Sequence, residues 1–293
     1  MKKWIFFLVL SFIPLILTSC QKKQSQGKLQ IIVSIPAYEK IVQDAVAGNF
    51  EVICVVPEGF NAHYFEVRPK DLDKIQNPVV WYGINESFEP KLLESLKARF
   101  PNLQYYSLLE AIPQQQLIHE CSCHHHHHHD EADHHHDLTD NHIWMSPKLM
   151  IDQMRFIQKS LPIKNDKIDE GFTAQIAKLN DLDAQFKKDL KPYEGQAILA
   201  SHGSFGYFCK EYGLVQITIE TEGKQPMPKD LENLATRLKN TPVICVFAQV
   251  QFDQKGAILI AKKLKKPLYS IDPYSKNYFE MQEDLVAKIL KQP

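Results

Sequence analysis

Ile168, Phe172, Ile176, Leu179, Leu182, Phe186 and Leu190 recur at steps of three and four residues. That spacing lays the apolar side chains along one face of a single helix, roughly 35 Å long at about 1.5 Å per residue. Such a helix divides the chain, because strand-like and helix-like stretches alternate on both sides of it. Before it, residues 29–34, 51–56, 79–82 and 103–107 read as strands, with helical patterns at 38–48, 69–76 and 90–99. Ser146 and Pro147 then open a helix to about residue 160, serine as N-cap and proline in the first turn. Pro192 and Gly195 end the long helix. Strands follow at 196–201, 214–218, 242–247 and 268–271, and helices at 205–212, 228–239, 255–263 and 278–290. The pattern predicts an α/β fold of two lobes, each a parallel sheet covered by helices, joined by one long rigid helix. Coiled-coil pairing is the other use of such a stripe; the immediate return of alternation favours a connecting helix.

The ends of the chain add an address. Lys2 and Lys3 precede an apolar run over residues 4–17, too short to span a bilayer comfortably and typical of a secretory signal. Leu17-Thr18-Ser19-Cys20 resembles the processing box of bacterial lipoproteins, which would make Cys20 the lipidated first residue of the mature chain. An ordinary cleaved signal with an incidental cysteine is the alternative. The expected organisation is a signal peptide at 1–19, a polar tether at 20–27, an N-terminal lobe at 28–160, a linking helix at 161–194 and a C-terminal lobe at 195–293. A net charge of −1 leaves no basic footprint for nucleic acid. A monomer is expected, held to a membrane through its lipid. Cys54 and Cys245 fall in apolar strands and read as buried free thiols.

Eleven of the thirteen histidines crowd between residues 119 and 147. His124, His125, His126, His127, His128 and His129 are followed by acidic residues and then by His134, His135 and His136. A tract so poor in apolar side chains cannot form a core. Residues 119–137 read as a solvated loop with weak, multiple metal sites; an expression tag would sit at a terminus. More telling are three histidines with ordered flanks. His63 follows a strand through a turn, His202 comes directly after the strand at 196–201, and His142 precedes the helix opened by Ser146. Asp272 follows the strand at 268–271. In open parallel sheets ligands bind beyond the carboxyl ends of the strands. Three imidazoles and one carboxylate make a four-coordinate site suited to Zn²⁺, with Mn²⁺ or Fe²⁺ as alternatives.

These segments resemble the metal-binding receptors of ABC transporters for zinc and manganese. Residues 57–69, centred on His63, resemble the family's "PPG…PHxYEPxP" segment, and residues 140–147 its "DPHxWLSP". Residues 202–208 resemble "HxAFxYF", and Ile271-Asp272-Pro273 resembles "LDPL". The resemblance implies two α/β lobes joined by a rigid helix, metal held in the cleft by His63, His142, His202 and Asp272, and delivery to a membrane permease. It also ties the acidic histidine-rich insert to the zinc-importing branch. The chain departs from the pattern at Asn61-Ala62, Asn141 and Gly203-Ser204. The first two departures are expected to loosen the loops that aim His63 and His142. Gln249 stands where the family often carries glutamate.

The sequence therefore predicts an exported, lipid-anchored receptor, in the periplasm or on the outer face of the cell membrane. It would capture Zn²⁺ and pass it to an ABC permease, and would not be an enzyme. The runner-up is a metal chaperone or adhesin of the same fold. A zinc hydrolase would use the same three histidines with Asp272 as base, but the chain lacks a His-Glu-x-x-His motif.

Overall fold

The computed structural model describes residues 27–119, 139–220 and 226–291. The first half builds β1 (Gln30–Val33), α1 (Pro36–Ala45), β2 (Glu51–Cys54), β3 (Pro78–Gly83), α2 (Glu89–Arg99) and β4 (Gln104–Ser107). All strand pairs are parallel, in the order β2-β1-β3-β4. Two helices, α3 (Pro147–Ser160) and α4 (Asp166–Leu190), follow. The second half builds β5 (Ala197–Ala200), α5 (Gly206–Tyr212), β6 (Val215–Thr218), α6 (Pro228–Arg237), β7 (Val243–Gln249), α7 (Lys255–Leu264), β8 (Leu268–Ile271) and α8 (Tyr278–Leu290). Its sheet is also parallel, in the matching order β6-β5-β7-β8. Both sheets reverse their strand order beside the first strand, and the crevice there is where such sheets bind ligands.

The central strands are apolar because helices cover both faces. Every residue of β1, β5 and β7 is buried, whereas the edge strands β6 and β8 keep exposed positions. The expected helix at 69–76 is only a 3₁₀ turn over Pro69–Leu72.

Asn165 caps α4 by accepting the Ile168 amide, and Ser146 caps α3 by accepting that of Leu149. On α4, Ile168, Phe172, Leu179, Phe186 and Leu190 are buried in the chain's own core, so the stripe is consumed within one molecule. Gly171 lets α4 press on α1, since a Cβ there would stand 2.1 Å from the carbonyl oxygen of Ala45.

The main core runs from the first sheet through α3 and α4 to α5, α8 and one face of the second sheet. A second cluster, including Leu199, Leu231, Val246 and Ile260, fills the other face of that sheet. The segment before α3 is tied across the halves. Trp144 Nε1 donates to Pro273 O at 2.8 Å, Tyr278 Oη to Trp144 O at 3.0 Å and Gln282 Nε2 to Met145 O at 2.9 Å. Tyr207 Oη donates to Asp140 O at 2.7 Å. The segment that carries His142 is thus held on both sides of it by groups from the second half of the chain.

Candidate metal centre

His63 lies on a 3₁₀ turn (Ala62–Tyr64) beyond β2, His142 at the head of another (Ile143–Met145) before α3, and His202 two residues past β5. Their Nε2 atoms converge: 3.2 Å from His63 to His142, 3.1 Å from His63 to His202 and 3.3 Å from His142 to His202. Among the described residues this is the one group of three or more metal-ligating side chains close enough to share an ion.

Each ring turns its other nitrogen to a carboxylate. His63 Nδ1 meets Glu86 Oε2 at 3.1 Å, His142 Nδ1 meets Asp140 Oδ1 at 2.7 Å, and His202 Nδ1 meets Glu220 Oε1 at 2.5 Å. A proton on each Nδ1 satisfies the carboxylate and leaves each Nε2 with its lone pair facing the other two. Three lone pairs at that separation repel one another unless a cation or a proton lies between them. A tetrahedral ion with bonds of about 2.0–2.1 Å holds its nitrogens about 3.3–3.4 Å apart, close to what the rings already adopt. The donor set fits a borderline divalent cation.

The rings are wedged as well as hydrogen-bonded. Phe252 stacks on His202 with centroids 4.3 Å apart and planes at 12°, and Trp144 lies against His142. Burial, the largest influence, lowers the pKa of His63, but the hydrogen bond and charge of Glu86, with Glu220 and Asp140, carry it above its ordinary value. For His202 burial again dominates and lowers the pKa; Glu220 opposes it and the other two imidazoles add to it.

At the departures Asn61 and Asn141, each side chain makes a hydrogen bond that ties its loop. Asn61 Oδ1 accepts the His63 amide at 3.0 Å, and Asn141 Nδ2 donates to Asn85 O at 3.1 Å. Gln249 is wholly buried and grips His202 from two sides. Its Oε1 accepts the His202 amide at 2.6 Å, while its Nε2 donates to His202 O at 3.1 Å and Ser204 Oγ at 2.6 Å. A glutamate could not make those two donations, so glutamine suits this site.

Asp272 is not in the converging group. Its Oδ1 accepts from Gln251 Nε2 at 2.5 Å and from the Tyr274 amide at 2.9 Å. Cys20 and the tract histidines 124–129 and 134–136 lie outside the described residues. Sequence reasoning missed Glu86, Glu220 and the role of Asp140. Asp140 was legible as an acid two residues before a candidate ligand. Glu86 and Glu220 carried the same strand-end signal as the histidines, standing three residues past β3 and two past β6.

Two parallel sheets of matching order thus carry three imidazoles that close on one point, a group able to hold a metal ion. The family model of the zinc-uptake complex component A, periplasmic, matches residues 31–292, and the chain belongs to that family. It is a metal-binding substrate receptor of the ABC-transporter type, a transport component and not an enzyme. It is 27% identical over 284 residues to the high-affinity zinc uptake system protein ZnuA of Bacillus subtilis, covering 90% of this chain and 86% of that one. It is 26% identical over 275 residues to the metal ABC transporter substrate-binding lipoprotein FimA of Streptococcus parasanguinis, covering 87% and 84%. A putative metal-binding protein of Chlamydia trachomatis is 23% identical over 255 residues, covering 85% and 86%. A crystal structure of a ZnuA superposes with a TM-score of 0.75 at 25% identity, covering 89% of this chain and 98% of that one.

Proposed function

We propose that the chain is a lipid-anchored, extracytoplasmic receptor that captures Zn²⁺ between its two lobes and hands it to an ABC permease. The observation that carries this reading is the convergence of three Nε2 atoms at 3.1–3.3 Å with a carboxylate behind each ring. Such an arrangement is pre-aimed: the cation meets three deprotonated donors and little reorganisation remains to be done. Asp272 is proposed as the fourth donor, with Mn²⁺ and Fe²⁺ the cations that would compete for the same set. The lobes are taken as residues 28–160 and 195–293, with the segment 161–194 between them as the stiff element limiting their motion. The histidines at 124–129 and 134–136 would add weak sites that gather the cation near the cleft, and lipid on Cys20 would keep the receptor at the membrane. Zinc is preferred because the site is rich in imidazole and because the relative from Bacillus subtilis is named for zinc uptake.

The experiment is metal content by mass spectrometry on protein purified without affinity resin. One equivalent of zinc is expected. Manganese or iron in its place would overturn the choice of metal, and no bound divalent ion would overturn the receptor reading.

A further inference from the structure

Tyr274 follows Asp272-Pro273, where the family segment that this stretch resembles ends in leucine. It is almost fully buried, 1% exposed. Its ring packs against Trp144 with centroids 5.3 Å apart and stands edge-on to His63 at 6.5 Å. The peptide group that precedes it is held at both its N–H and its C=O. The amide of Tyr274 donates to Asp272 Oδ1 at 2.9 Å, and the preceding carbonyl, Pro273 O, accepts from Trp144 Nε1 at 2.8 Å. The hydroxyl of this clamped side chain points at the triad, 3.4 Å from His63 Nε2. Among the described residues it is the one hydroxyl group that reaches a converging nitrogen of the triad.

That contact has a consequence for the loaded protein. In the metal-free protein the phenol O–H can donate to the His63 lone pair, because the proton of that ring is held at Nδ1 by Glu86. A cation takes that same lone pair. The buried hydroxyl then loses its acceptor, and a buried hydroxyl left without one is costly. An acceptor would be supplied by the loaded site, in an oxygen that completed the shell of the cation beside the three nitrogens. We infer that Tyr274 is a positioning residue of this site: its hydroxyl transfers its hydrogen bond from His63 to the oxygen ligand of the bound cation. Asp272, two residues upstream, is the proposed source of that oxygen. The inference rests on the receptor reading above and adds to it a residue that selects for cations retaining an oxygen ligand.

Tyr274→Phe keeps the ring and its packing against Trp144 and His63 and removes only the oxygen. The test compares parent and Y274F by zinc titration and by the visible ligand-field spectrum of the Co²⁺-loaded protein. Y274F is expected to bind zinc roughly tenfold more weakly, as for loss of a partner hydrogen-bonded to a ligand. Its Co²⁺ spectrum is expected to shift, which a change in packing alone would not produce. Equal or tighter zinc binding by Y274F would overturn the inference, marking the hydroxyl as a bystander or a competitor of the cation. Weaker binding with an unaltered Co²⁺ spectrum would also overturn it. Failure of the parent to take up one equivalent of either ion would instead overturn the receptor reading, so the two failures are distinguishable.

Discussion

Asp140 holds His142 twice. Its Oδ1 lies 2.7 Å from the ring nitrogen Nδ1 and accepts the His142 backbone amide at 2.8 Å. A single carboxylate oxygen thus fixes both the backbone and the tautomer of a candidate ligand. Replacing it with an amide weakens the acceptor and removes the charge that makes the imidazole a better donor. Asp140→Asn should reduce metal affinity about 10–100-fold with the fold retained. Titration with a competing chelator, alongside circular dichroism, checks this. An unchanged affinity would mean that the tautomer of His142 is set elsewhere.

The pH dependence of capture follows from the unequal rings. His63 is raised by Glu86 against the opposing effect of burial, and His202 is lowered by burial. Protons and the cation compete for the same Nε2 atoms, so affinity is full above the His63 pKa and falls as pH drops through it. The loss should begin above the ordinary imidazole value of about 6.5. Glu86→Gln removes the group that raises His63 and should move the onset to lower pH. Competition titrations between about pH 8 and pH 5 read both effects. An onset in E86Q at the same pH as in the parent would contradict this assignment.

Much of this architecture was readable in the chain. The stripe from Ile168 to Leu190 announced the long helix because a buried helix face needs one apolar side chain per turn. His63, His142 and His202 were readable because each sits at the end of an ordered element. What was not readable depends on distance across the chain. Glu86 stands 23 residues from His63 and Glu220 18 residues from His202, and no local pattern ties either acid to its ring. Asn61 looked like a weakened turn because its value lies in one hydrogen bond to the His63 amide, visible only once the backbone is placed. Nothing local in the sequence singles out Tyr274, whose hydroxyl meets His63 only across the fold.

Asp272 tests how the shell is completed. Its carboxylate is held by Gln251 and the Tyr274 amide at the end of β8. Removing a group that only supports a ligand typically costs about 10–100-fold in affinity. As a donor in its own right, Asp272→Asn should lose more than that range in a zinc titration. A variant that binds as tightly as the parent would reduce Asp272 to a cap on the turn leading to Tyr274.

Anchoring is tested apart from binding. A single acyl chain gives only marginal attachment, so a stable anchor on Cys20 needs more than one chain. Cys20→Ser should move the protein from the membrane to the soluble fraction. An unchanged membrane fraction would place the anchor elsewhere.

We expect His63, His142 and His202 to form the capture site, with the histidine tract auxiliary to it. Calorimetric titration with zinc of a variant lacking residues 120–138, with and without His202→Ala, tests it most directly. One tight equivalent is expected in the deletion variant, and its loss when His202 is also replaced. A deletion variant with no tight equivalent, or a tight equivalent that survives His202→Ala, would contradict it.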